Sequence, residues 1–286
     1  MKSNISSLVE NALIKASSTF SKDKKRAYQR SISCENNCNA KWVLETIANN
    51  ANIAEKCKSP LCDDTGIPHI VLEIGPKINL NGNILFEIEK GVKNGLKKLP
   101  GRPMAIVGND YERIGQMRGI SENPEDVEMA PILIRRTTKN ILRLNILMFG
   151  GGPAIRAKTF RVFHKHDSEI VVEEIIKWSK EMVSELGCSP CTIAVGIGRS
   201  HFEASSLMLE ALIDGNYDKQ TDIEKRITFK LNQTGVGPLG IGGKTSVLAT
   251  FLKVGPQRSS GVRIVCVRPC CCFEPRKACI DLLKCR

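Results

Sequence analysis

Three cysteine-bearing turns are the parts of this chain most able to do chemistry. The first is Ser59-Pro60-Leu61-Cys62-Asp63-Asp64-Thr65-Gly66. A cysteine between a proline and a glycine can be presented to a metal cluster, with Asp64 and Thr65 bringing polar groups beside it. The same segment also fits a plain turn in which Asp64 caps the backbone. The second is Cys188-Ser189-Pro190-Cys191, where a long helix meets a buried strand. Its Cys-x-x-Cys spacing admits zinc, a redox pair or cluster ligation, and Pro190 stiffens the turn. The third is Cys270-Cys271-Cys272-Phe273-Glu274-Pro275-Arg276, after the last strands. Neighbouring side chains in extended backbone point apart, so three consecutive cysteines do not serve one site from a regular strand. Arg268 and Arg276 beside them could neutralise a cluster or bind a carboxylate.

A glycine-rich stretch, Gly235 to Gly243 followed by Lys244-Thr245, ends like a phosphate-binding loop. The Walker spacing requires glycine where this chain has Pro238, which has no N–H to offer an anion. The other backbone N–H groups can still face a carboxylate or cluster sulfides. Of the histidines, His69 reads as packed within a strand, and His164 and His166 flank Lys165 in a basic patch. His201 follows Arg199 and Ser200 in a loop after a buried strand and is a candidate functional residue.

These pieces need a scaffold. Residues 5–56 read as helices, with Ile5, Leu8, Val9, Ala12 and Leu13, then Trp42, Val43, Ile47, Ala48, Ala51 and Ile53, at helical spacing. Residues 67–76 read as a strand and 82–98 as a helix. Residues 131–149 alternate with a break near Lys139 and Asn140, the pattern of a β-hairpin. A strand is expected at 158–163 and an amphipathic helix at 168–186, stopped by Gly187. A buried strand follows at 192–197 and a helix at 202–214. Residues 227–231 are strand-like, and two more strands fall at 246–254 and 261–267. The expected fold class is α+β, or mixed α/β: a helical N-terminal region, residues 1–58, then a mixed sheet with helices over residues 59–286.

Composition narrows the function. The chain has 286 residues, 42% of them hydrophobic, enough for a sizeable core. No apolar run reaches the roughly 18 residues of a spanning helix, and the N-terminus lacks a signal-peptide pattern, so a cytoplasmic protein without a membrane is expected. Twelve cysteines in a long chain read as free, catalytic or metal-bound thiols. The net charge is +12 with only 5% aromatic residues. A base-stacking surface is not evident, and nucleic acid is not the expected partner. The densest basic run, Lys22 to Arg30, reads as a solvated helix face.

In this order the segments resemble the alpha chain of the two-subunit fumarase and L-tartrate dehydratase family. Pro60-Leu61-Cys62-Asp63-Asp64-Thr65-Gly66 is similar to that family's Pro-x-Cys-Gln-Asp-Thr-Gly. Cys188-Ser189-Pro190 leading to Gly196-Ile197-Gly198 resembles its Cys-Pro-Pro turn before Gly-Ile-Gly. Residues 235–245 match Gly-Ile-Gly-Pro-Met-Gly-x-Gly-Gly-x-Thr almost throughout, and Cys272-Phe273-Glu274-Pro275-Arg276 fits Cys-x-Ala-Ala-Arg.

The resemblance implies an oxygen-sensitive hydro-lyase with a [4Fe–4S] cluster held by Cys62, Cys188 and Cys272. Counting from the preceding strand points to Cys270 instead, so the third ligand lies within Cys270 to Cys272. Asp64 matches the aspartate beside the first ligand and is the implied catalytic residue. Arg118, Arg156 and Lys158, by position, and His201 are the candidates for binding a C4 dicarboxylate, fumarate/malate or tartrate. The implied partner is a beta subunit carrying a Lys-Gly-Thr motif, in an α2β2 heterotetramer. The chain departs from the family at Asp63, in place of glutamine. It departs again after Gly150–Gly152, where Pro-Ala-Ile-Arg-Ala-Lys replaces a fumarase-like Ser-Glu-Asn, and before Pro131, where the usual asparagine-rich turn is missing. Two other readings stay open: a zinc- or nucleic-acid-binding protein without catalysis, and a related hydro-lyase for another hydroxy acid.

Overall fold

The computed structural model describes residues 5–116 and 118–283. Its elements begin with α1 (Ile5–Ser18), α2 (Lys22–Cys34), α3 (Cys38–Cys57), β1 (Ile67–Ile74), α4 (Gly82–Lys98) and α5 (Asp110–Gly115). Then come β2 (Leu133–Arg136), β3 (Leu142–Phe149), α6 (Gly151–Ala154), β4 (Lys158–Phe163) and α7 (Ser168–Leu186). The chain continues through β5 (Cys191–Gly198), α8 (His201–Asp214), α9 (Asp222–Asn232), β6 (Val247–Val254), β7 (Val262–Cys270) and β8 (Arg276–Asp281). The fold is mixed α+β with a helical start. Among the described residues no helix is long and apolar enough to cross a membrane.

The chain forms two compact units, with one boundary inside α3. The first comprises residues 1–19, 51–150 and 276–286, the second residues 20–50 and 151–275. The first is built on a sheet of order β2-β1-β3-β8. Val9 and Leu13 of α1 and Ile88 and Val92 of α4 bury against Ile70, Leu72, Leu144 and Ile146 of the sheet. Each such fully buried side chain contributes about 1.5–3 kcal/mol. The expected hairpin over 131–149 does not form. β2 pairs with β1 in parallel, and β3 pairs with the opposite edge of β1 in antiparallel register. Alternation marked both strands correctly, but which strand lies between them is a long-range choice it cannot encode.

The second unit has a sheet of order β4-β7-β5-β6. Every residue of β5 is buried, as expected for a central strand read from a short β-branched run. Its core joins Ile175, Ile176 and Val183 of α7 to Ile193 and Val195 of β5, Val265 and Val267 of β7, and Ile227 and Leu231 of α9. Residues 227–231 are thus helix, not strand. Thr221 and Glu224 form a capping box that starts α9 at Asp222, and only the inner face, Ile227 and Leu231, looks strand-like in isolation. The basic run is not a uniformly solvated face either: Lys24, Ala27 and Tyr28 of α2 are buried. Trp42 and Ile53, expected on the apolar face of α3, are 65% and 60% exposed.

Candidate active site

In the first unit, the Cys62 turn is held from three directions. The Leu61 N–H donates to Ser17 O at the end of α1 over 3.0 Å, and the Leu61 side chain is buried. Arg276, buried at the start of β8, donates from Nη1 to Asp64 O over 2.6 Å. Gly66 has φ +87°, and a Cβ there would lie 2.6 Å from Phe149 O and from Arg276 Nη2, so only glycine closes the turn. Cys62 and Asp64 themselves are half-buried.

Asp63, where the family carries glutamine, accepts a hydrogen bond from the Cys62 thiol at 3.4 Å and one from Arg102 Nη1 at 3.4 Å. The Cys62 contact, then the Asp64 N–H, hold the Asp63 carboxyl below its usual range. Arg102 was not singled out from sequence; its only local signal is that it follows the Pro100-Gly101 stop of α4. Arg118 is exposed in the segment joined by the Ile106–Ile120 bridge.

In the second unit, the other two cysteine turns meet. The Cys272 N–H donates to Cys188 O over 2.8 Å. Gly187, at φ +73°, ends α7 and turns the chain into Cys188, whose side chain is exposed. Ser189 locks this turn onto the glycine-rich loop: its hydroxyl donates to Gly237 O over 2.5 Å, and its carbonyl accepts from Leu239 N over 3.0 Å. The loop can fold so tightly only because Gly237 lacks a side chain; a Cβ would lie 1.9 Å from Gly242 O. Lys244 Nζ donates to Cys34 O over 3.0 Å.

The Cys270–Cys272 run rests on α2. Lys24 Nζ donates to Glu274 O over 2.7 Å, and Tyr28, one helical turn on, donates from its hydroxyl to Cys272 O over 2.8 Å. Burial depresses Lys24 to about 8, against the opposing pull of Cys271, Cys272, Cys270 and Glu274. Arg268 and Glu274 form a fully buried ion pair at 2.7 Å, and Arg268 also donates to Cys270 Sγ at 3.2 Å.

The cysteines therefore fall into two groups. Cys270 and Cys191 are fully buried on the adjacent strands β7 and β5, where Cys270 is opposite Thr192. Burial pushes Cys270 up to about 12 and raises Cys191 further still. These are core thiols. Cys272 lies past the end of β7 against Cys188, and its thiol is raised by a hydrogen bond with Cys271, then by burial.

The candidate substrate residues divide in the same way. Arg156 donates from Nε to Glu185 O and from Nη1 to Gly152 O, each over 2.9 Å, three residues short of Cys188. Lys158 opens β4 opposite Val267, three residues short of Cys270. His201, exposed at the start of α8, follows the other end of β5, so it is not brought to Cys188 and Cys272. Among the described residues no three His, Cys, Asp or Glu side chains are gathered to hold a single metal ion. Cys188 and Cys272 carry soft sulfur, the ligand type an iron–sulfur cluster takes, and Lys24 is a buried cation against the Cys272 turn.

The family model for fumarate hydratase (fumerase) matches residues 6–280. The chain is 26% identical over 286 residues to the putative L(+)-tartrate dehydratase subunit alpha of Methanocaldococcus jannaschii, an alignment covering 96% of each chain. It is 23% identical over 238 residues to the L(+)-tartrate dehydratase subunit alpha of Escherichia coli (strain K12), covering 80% of this chain and 75% of that one. The match runs through all three cysteine turns and both sheets, and the chain belongs to the fumarate hydratase (fumerase) family of hydro-lyases.

Proposed function

We propose that this chain is the alpha subunit of a cytoplasmic iron–sulfur hydro-lyase that adds or removes water across a carbon–carbon bond of a C4 dicarboxylate. The acid is fumarate/malate or tartrate. The observation that carries this reading is the hydrogen bond from Cys272 N to Cys188 O, which joins the turns of two family-matched cysteines, while Cys191 and Cys270 lie within strands β5 and β7. Cys62, Cys188 and Cys272 are the proposed ligands of a [4Fe–4S] cluster. With three thiolates for four irons, such a cluster supplies one open iron as a Lewis acid toward a hydroxyl or carboxylate.

The protein's own groups do the rest. Asp64 orients the departing or entering water through its carboxylate. Arg102, next to the Cys62 turn, and Lys158 and Arg156, at the Cys188 end of β4, supply cationic contacts to the two carboxylates. Arg118 stays a candidate for the same role by sequence position alone, and His201 is left without one. Lys24, Tyr28 and Arg276 hold the ligand turns so that the thiols are ordered before a cluster binds. The proton on carbon is taken by a separate beta subunit with a Lys-Gly-Thr motif, in an α2β2 assembly. The relatives named as alpha subunits support a partner.

The test is anaerobic turnover of fumarate, malate and L-tartrate, alongside other hydroxy acids, by the chain with and without its partner. Turnover of one of the C4 acids only when both chains are present is expected. Turnover by this chain alone, or of no C4 acid by the pair, would refute the proposal.

A further inference from the structure

The second unit also carries an arginine-lined cavity at the end of its sheet remote from Cys188 and Cys272. Its volume is about 310 Å³, and Arg161, Arg199, Arg258 and Arg263 line it with Gln257 and Ser260. No acidic residue lines it. Arg161 and Phe163 of β4 lie opposite Ile264 and Val262 of β7, and Arg199 directly follows β5. Cys188 and Cys272 sit beyond the other ends of β5 and β7. The eight residues of β5 put the cavity about 23 Å from them at the usual strand rise.

The cavity wall is fixed by backbone and side-chain hydrogen bonds. Its loop is tied down by Gly255 N to Ile197 O at 3.0 Å, by His164 N to Gly261 O at 3.0 Å, and by a contact between His164 Nε2 and Ser260 O at 2.9 Å. Arg263 Nη1 donates to Val262 O at 3.0 Å and to Ser260 O at 3.3 Å. Arg199 is paired with Glu203 at 2.6 Å. Arg161 and Arg258 make no side-chain hydrogen bond or ion pair among the described residues. With Glu203 neutralising one guanidinium, three positive charges face one small space. They repel one another unless an anion of comparable charge lies between them. Guanidinium forks match phosphoryl oxygens two at a time. Phe163 at the wall is 65% exposed, a free aromatic face beside the arginines of the kind on which a base stacks.

We propose that this cavity binds a nucleoside di- or triphosphate, with the phosphates on Arg161, Arg258 and Arg263 and the base on Phe163. The site is separate from the hydro-lyase chemistry and does not depend on it. Calorimetric titration of ADP and of pyrophosphate into the full-length protein tests it. ADP is expected to bind with a dissociation constant below about 1 mM, tighter than pyrophosphate. Arg161→Ala and Arg258→Ala, both exposed and so without folding consequence, should each weaken both ligands about tenfold. Phe163→Ala should weaken ADP about fivefold or more and leave pyrophosphate unchanged. Absence of ADP binding at millimolar concentration overturns the proposal, as does binding indifferent to the two arginine substitutions. Equal affinity for ADP and pyrophosphate, with no effect of Phe163→Ala, overturns the nucleotide assignment.

Discussion

The backbone N–H of Cys272 donates to the carbonyl of Cys188 across 84 residues of sequence, over 2.8 Å. That bond joins the turn after β7 to the turn after α7 and involves Cys272, past the strand's end, rather than Cys270, the last residue of β7. Cys270→Ala should therefore leave iron content and activity near wild type while costing about 1–2 kcal/mol from a lost core thiol. Denaturant midpoints and iron content measured on the same preparation would check both halves.

Tyr28 and Lys24 act on the same turn from below. Tyr28→Phe keeps the ring, which stacks on Phe20 at 5.4 Å, but removes the donor to Cys272 O. A loss of about 1–2 kcal/mol is expected from the buried carbonyl left without that bond. Chemical denaturation would measure it, and an unchanged midpoint would mean that water replaces the hydroxyl.

Glu35 is the acid-sensitive fastening of the glycine-rich loop. It is buried and accepts N–H bonds from Asn36 and Asn37, each at 3.0 Å, and from Lys244 at 2.7 Å. Burial alone would raise its carboxyl, but these donors, Asn37 first, bring it below 4.5. Because the folded value is the lower one, the stabilisation is complete above the unfolded value and is lost as pH falls through the folded value. Glu35→Gln should be about 1.5–3 kcal/mol less stable at neutral pH. The gap to wild type should narrow in acid, as read from thermal midpoints across pH 3–7.

Gly66 bears on the Cys62 turn alone. Gly66→Ala meets both a positive φ and two atoms at 2.6 Å, and it should cost about 3 kcal/mol or more. A thermal midpoint within a degree of wild type would show that the turn relaxes freely.

Much of this was readable before the fold was known, for a local reason. Helices such as α7 announce themselves by a repeated apolar face and a glycine stop, and β5 by a short run rich in β-branched residues, Thr192, Ile193, Val195 and Ile197. The cysteine turns were visible because proline and glycine bracket them. What could not be read depended on distant partners. β1 lies between β2 and β3, so a hairpin-like pattern is not a hairpin. Lys24 looks like one of several surface lysines, yet its ammonium donates to the carbonyl of Glu274, 250 residues away. Arg102 carries no motif and becomes notable only by its position beside Asp63. β8 is only six residues long, begins at Arg276 just after Pro275, and mixes charged and apolar residues, so it carries little local signal.

The most direct measurement is iron and acid-labile sulfide in anaerobically purified protein with its partner, compared across Cys62→Ser, Cys188→Ser, Cys272→Ser and Cys270→Ser. About four irons and four sulfides per chain in the wild type and in Cys270→Ser, and loss of the cluster in the other three, is the expected result. A wild type without iron and sulfide, or a cluster that survives Cys272→Ser and vanishes in Cys270→Ser, would contradict the assignment.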